Sequence, residues 1–177
     1  SQTNEQALES AIEKHLTGTC LEELKNAVSE KPIILDAGLY QMGHASDFNA
    51  QYAIDTNHFW SFLEQTQEKE LGKLKVNSPS DWQRKILERF DRMIKKYGLV
   101  HLLKKGLSVD DAHLNLMYPA PLASSSESVQ KNFTYNIFSC TRQVRYSLAN
   151  PLQEIDMVLF INGIALVTLE LKNAWTG

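Results

Sequence analysis

The sequence predicts an α/β or α+β domain with its helices early and its strands late. Two observations carry this. Apolar residues recur at helical spacing in the first half of the chain, as in Leu8, Ile12 and Leu16 and again in Trp82, Ile86, Phe90 and Ile94. After Pro119, Pro121 and the run Ser124 to Ser126, the composition turns aromatic and β-branched. The chain has 177 residues, 43% of them apolar, which suffices for a real core.

The elements follow in order. Asn4 is placed to cap a helix that runs to about Leu16, with Glu5, Glu9 and Glu13 on a neighbouring stripe. "LEELKNAV" reads as a second short helix and Ile33 to Leu39 as a strand, while "MGHASDFNA" reads as a loop. A helix over "IDTNHFWSFLEQTQ" starts from a cap-like Asp55. The next, "NSPSDWQRKILERFDRMIKKYG", has Ser78 or Ser80 as its cap and Gly98 as its stop. "LVHLLKKGL" reads as a short helix stopped by Gly106. "NFTYNIFSCTRQVRYSL" reads as a strand, and "EIDMVLFINGIALVTLELKN" as a buried β-hairpin.

Charge and composition narrow the function. Eighteen basic against 21 acidic residues give a net charge of −3, which argues against a whole-surface DNA clamp but leaves room for a local basic groove. No apolar run approaches the ~18–20 residues of a membrane span. The opening "SQTNEQALES" lacks a signal-peptide pattern. Cys20 and Cys140 lie far apart without metal spacing, as expected of unpaired thiols in a reducing cytoplasm. His15, His44, His58, His101 and His113 show no ligand spacing. Lys95, Lys96, Lys104 and Lys105 sit where cations offset helix dipoles, or where they form a basic patch. Trp82 and Phe90, at helical spacing, read as core rather than as a base-stacking platform.

The hairpin carries the chemistry. Asn162-Gly163 between two apolar runs is a strong turn signal. A two-residue loop pairs Ile161 with Ile164 and sends Asp156 and Glu170 to opposite faces. A three-residue loop pairs Phe160 with Ile164, sets Asp156 opposite Thr168, and makes Glu170 its diagonal neighbour on the same face. The expectation is the three-residue loop. Two carboxylates and Lys172 in so apolar a segment cost several kcal/mol each unless something offsets their burial. A divalent cation does so, and Mg²⁺ prefers such oxygen ligands. Lys172 is then positioned to orient an attacking water or to offset charge on the phosphate. The bland alternative is that Glu170 and Lys172 are edge charges where a strand leaves the core.

At these residues the chain resembles the PD-(D/E)xK nuclease superfamily. More narrowly, it is similar to the N-terminal nuclease domain of the R (restriction) subunit of type I restriction endonucleases. "IDMVLFINGIALVTLELKNAWTG" carries the resemblance, with "NIFSCTRQVRY" matching the preceding strand through Asn136, Arg142 and Gln143. "FLEQTQ", "HLLKKGL" and "NEQALESAIEKHL" match more weakly, the last placing a metal-approaching glutamate at Glu9. Ile155 stands where a Pro often precedes the motif Asp, and the chain stops before the family's Gln-x-x-x-Tyr helix.

The resemblance implies a restriction-endonuclease-like core, a mixed central sheet flanked by helices, with residues 1–177 forming one nuclease domain. It also implies a piece of a longer subunit bearing an ATP-dependent motor. The implied activity is Mg²⁺-dependent cleavage of double-stranded DNA, in a cytoplasmic complex with methylation and specificity subunits and away from any membrane. ATP would be needed only in the full-length protein. Asp156 and Glu170 would hold the metal, Lys172 would serve the water and Glu9 would assist. Arg142, Gln143 and Arg145 are the candidates for DNA contact. For the two arginines, surface charge on an edge strand is the competing expectation. A catalytically silent module that docks DNA or sister subunits is the alternative function.

Overall fold

The computed structural model describes residues 2–26 and 40–172. The strand expected over Ile33 to Leu39 lies outside them. The chain forms two compact units: residues 1–56 with 137–177, and residues 57–136.

The first unit holds a six-stranded mixed sheet. Its strands are β1 (Gln41–Met42), β2 (Phe48–Asn49), β3 (Ile54–Asp55), β6 (Phe138–Arg145), β7 (Glu154–Ile161) and β8 (Ile164–Leu169), in the order β1-β6-β7-β8-β3-β2. Among the described residues only the β1–β6 pair is parallel. Helices α1 (Gln2–Thr17) and α2 (Leu21–Asn26) belong to the same unit, and α1 packs on β6 and β1. Val144, Val158 and Phe160 form a buried cluster, with Phe48, Ile155 and Ala165 against it. Asn4 lies inside α1 rather than at its cap, because the helix begins two residues earlier. The expected "MGHASDFNA" loop contains β2, a 3-10 turn over Ala45–Asp47 and the end of β1. Nor is β6 an edge strand, since β1 and β7 flank it.

The β7–β8 turn corrects the register expectation. Ile161 pairs with Ile164, so the loop is the two-residue Asn-Gly turn. Asn162 (φ 49°) and Gly163 (φ 76°) are both left-handed, as a type I′ turn requires. Asn162 is wholly buried, its Oδ1 accepting the Ile137 N–H at 2.7 Å while its own N–H donates to the Ile137 carbonyl at 2.7 Å. That clamp suits a tight turn and leaves no slack for a third loop residue. Farther along, Phe160 pairs with Ala165 but Leu159 with Val167. Leu166 is therefore an extra residue, a β-bulge, which reverses the parity set by the turn. Past it, Met157 pairs with Leu169. The pairing ends there, and Glu170 follows the last residue of β8.

The second unit contains α4 (Glu68–Asn77), α5 (Trp82–Tyr97), α6 (Leu99–Lys105), the hairpin β4 (Leu107–Val109) and β5 (Ala112–Leu114), and α7 (Glu127–Thr134). Nearly all of α3 (Thr56–Thr66) belongs to it. Its core gathers Phe59, Phe62, Leu71, Leu74, Ile86, Phe90, Leu107 and Leu114. Gly98 and Gly106, at φ 82° and 75°, stop α5 and α6 as expected. Asp81, rather than either serine, occupies the N-cap position of α5. Neither α4 nor the β4–β5 hairpin was expected. The "NFT" of the expected long strand is the last turn of α7 instead. Ser126 starts that helix by accepting the Val129 N–H, and the early cap overrides the β-propensity of Phe133 and Thr134. Asn136 closes the unit, donating to the Tyr118 carbonyl and accepting its N–H at 2.6 and 3.0 Å.

Asn162→Ala should cost about 2–4 kcal/mol in urea unfolding, because it strands a buried N–H and puts a Cβ without a local partner in the left-handed region. An unchanged midpoint would show that the turn does not depend on this clamp.

Candidate active site

The site is built on the first unit. Helix α1 buries the face that its sequence marks as polar. Glu9, Glu13 and Thr17 are buried, whereas Leu8 is 45% exposed. The cause is Arg142 on β6, itself only 4% exposed. Its Nε donates to Glu9 Oε2 at 2.9 Å, and its Nη1 donates to Glu13 Oε1 at 3.2 Å and Glu22 Oε2 at 2.8 Å. Ser10 Oγ lies 3.4 Å from the same Nη1. One guanidinium thus joins α1, α2 and β6. Burial works to lower the pKa of Arg142, but its bonds to Glu22, Glu9 and Glu13 outweigh that and raise it.

The glutamates respond differently. Burial pushes the pKa of Glu13 up against the opposing pull of the Leu21 N–H and Arg142, and its Oε2 has no hydrogen-bond partner among the described residues. The bond from Arg142 holds Glu22 well below the usual carboxylate range. The Cys140 thiol, beside Arg142 in sequence, is pushed up to about 12 by burial. Both cysteines are buried and unpaired, as expected.

A cleft of roughly 410 Å³ opens beside this cluster, lined by Glu5, Glu9, Glu22, Lys25, Arg142, Gln143 and Asp156 among others. Gln143 has a left-handed backbone (φ 59°), uncommon for a residue with a side chain, and donates from Nε2 to Glu9 Oε2 at 3.0 Å. Arg142 pairs with Met157 and Val144 with Ile155, so Gln143 and Asp156 occupy facing positions between them. Asp156 is half-buried, and its Oδ2 accepts the Leu171 N–H at 2.6 Å.

The predicted site residues divide. Asp156 and Glu9 line one cleft, together with Gln143. Glu170 and Lys172 are exposed at the end of β8 and are not among the lining residues. Arg142 is committed to carboxylates inside the protein, and exposed Arg145 pairs with Glu154 at 2.8 Å. Glu5, Glu13, Glu22 and Lys25 were not predicted for the site. The four-residue spacing of Glu5, Glu9 and Glu13 was visible, but nothing local pointed to a buried cation beneath it. Among the described residues, no group of three or more His, Cys, Asp and Glu side chains is arranged to hold a metal ion, and no helix is long and apolar enough to cross a membrane.

Fold and site together define a mixed α/β protein whose Asp-bearing hairpin borders an acid-lined cleft. The family described as the type I restriction enzyme R protein N terminus matches residues 51–176, and the chain belongs to that family. The match takes in Arg142, Asp156, Glu170 and Lys172, while α1 and α2 with their glutamates precede it. No curated protein and no solved structure matches the chain.

Arg142→Met should destabilise the fold by about 3–5 kcal/mol at neutral pH, because it leaves buried carboxylates uncompensated. A loss under about 1 kcal/mol in urea unfolding would remove Arg142 as the organising group. Stability should also depend on pH through Glu13. Its folded pKa lies above the unfolded 4.5, so its contribution is full below that value and is lost as pH rises through the raised one. Glu22 acts in reverse, its contribution present above its unfolded pKa and lost as pH falls through the lowered folded value. Glu13→Gln cannot titrate, so it should flatten the fall in urea midpoint as pH rises above the unfolded pKa of Glu13. Equal slopes for the variant and the wild type would assign that fall to another group.

Proposed function

We propose that this chain is the nuclease part of a type I restriction enzyme R subunit, a Mg²⁺-dependent endonuclease with a PD-(D/E)xK core that hydrolyses phosphodiester bonds of double-stranded DNA. In the full protein this activity is coupled to ATP-driven translocation within a complex of methylation and specificity subunits. Family membership supports the setting. The observation that carries the chemistry is Asp156 in an acid-lined cleft, on the strand paired with β8, whose end leads into Glu170.

Hard carboxylate oxygens suit Mg²⁺, and Glu5, Glu9, Glu22 and Asp156 line the cleft with Arg142 and Lys25, although among the described residues no three acidic side chains are grouped to hold an ion. Asp156 and Glu170 would hold the ion, with Glu9 assisting. Bound there, it would supply polarisation of a phosphoryl oxygen and a more acidic water. The Leu171 N–H restrains the Asp156 carboxylate, and Gln143 and Arg142 restrain that of Glu9. Lys172 orients the attacking water or offsets charge on the phosphate during in-line displacement.

A catalytically silent docking module on the same scaffold has one observation behind it: Glu9 and Asp156 already accept hydrogen bonds from the protein itself. Calorimetry with Mn²⁺ separates the two. The nuclease should give binding heat that disappears in Glu170→Ala, and the docking module none. In a plasmid-cutting assay with the ATP-supplied full-length complex, Asp156→Ala and Lys172→Ala should each lose roughly 100-fold or more in rate. Wild-type cutting by both variants would end the catalytic assignment.

A further inference from the structure

If this protein acts on DNA, something must hold the duplex, and two of the cations matched to that task are engaged elsewhere: Arg142 is buried among glutamates and Arg145 is paired with Glu154. The two units differ sharply in charge. Residues 57–136 carry twelve Lys/Arg against nine Asp/Glu, a net +3, while the remainder carries six against twelve, a net −6. A groove of roughly 350 Å³ between α5 and β4 is lined by Arg84, Lys85, Arg89 and Arg92 together with Asp81, Glu88 and Asp110.

Two of these cations are neutralised. Arg84 pairs with Asp81 at 2.8 Å and Glu88 at 2.9 Å, and Lys85 pairs with Asp110 at 2.5 Å. The other two are not. Arg89 donates its Nε to the Ser108 carbonyl at 3.1 Å, which fixes its orientation without meeting a charge. Arg92 is exposed, and among the described residues no carboxylate pairs with either arginine. Lys85, Arg89 and Arg92 recur at i, i+4 and i+7 on one face, spanning about 10 Å of helix axis. A DNA strand presents one phosphate per ~3.4 Å of its axis, so a face of this length spans about three phosphates, two of which the unpaired Arg89 and Arg92 can meet.

We infer that the α5 groove is a docking surface for the phosphate backbone of double-stranded DNA, with Arg89 and Arg92 as its contacts. It reads no sequence, since guanidinium–phosphate bonds position a duplex without distinguishing its bases. The inference rests on the DNA-acting part of the proposed function and requires neither metal nor catalysis.

The test is fluorescence anisotropy of a short labelled duplex with the 177-residue chain across a salt series. The wild type should bind at low salt. Arg89→Gln with Arg92→Gln should weaken binding roughly tenfold or more and reduce the salt slope by about 2. Lys69→Gln with Lys131→Gln removes equal charge from exposed positions outside the groove and should leave binding within about threefold. Arg92→Glu alone covers the case in which loss of the Arg89–Ser108 contact unfolds the protein. It should weaken binding with an unchanged melting temperature. The inference is overturned by no duplex binding at low salt, by equal weakening in the control pair, by wild-type binding in Arg92→Glu, or by polyglutamate competing as well as duplex, which would make the groove a site for acidic protein. Arg92-dependent binding without Mn²⁺ heat defeats the nuclease reading alone, and Mn²⁺ heat without Arg92-dependent binding defeats this one alone.

Discussion

The buried Arg142 is the constraint on which the first unit depends. Its guanidinium ties α1 and α2 to a strand more than a hundred residues later in the chain. A planar fork of five donors suits that task, since it can satisfy several carboxylates at once and keeps its charge at any physiological pH. Burial dominates at Glu13 and the bond from Arg142 dominates at Glu22, so the two carboxyls shift in opposite directions around one cation. It also places Glu9, with Gln143 held against it, at the wall of the cleft. The left-handed backbone at Gln143 sits at that junction, where surrounding pairings on both sides over-determine it.

A second constraint acts through parity. A two-residue turn and a one-residue bulge each shift the strand register, and their effects combine. The turn by itself would send Asp156 and Glu170 to opposite faces. The bulge at Leu166 reverses that parity along the rest of β8, and it lies on an exposed stretch of the strand. Asp156 is further restrained by the Leu171 N–H, so the strand end beyond the bulge is tied back to β7. Such a bulge near a candidate site is a feature with a role rather than a defect of pairing.

The two units divide the charge between them. The sheet unit is acidic and holds the cleft, and the helical unit is basic and holds the α5 groove. Such a separation gives each unit a surface that attracts ligands of the opposite sign.

The sequence by itself determined the elements whose signals are local. The periodicity of α5, the glycine stops after α5 and α6, and the place of the Asn-Gly hairpin depend on neighbours within a few residues and stand as read, although the hairpin loop is one residue shorter than expected. Tertiary structure decided what depended on distant partners. Nothing local in the glutamate stripe of α1 marks it for burial until Arg142 arrives beneath it, and Leu8, one of the helically spaced apolar residues, is turned outward. The bulge at Leu166 has no local signature, since no Gly marks it. The short β4–β5 strands carry too few residues to show alternation. The reason is common to all: propensity and period act along the chain, whereas compensation of buried charge and pairing register act across it.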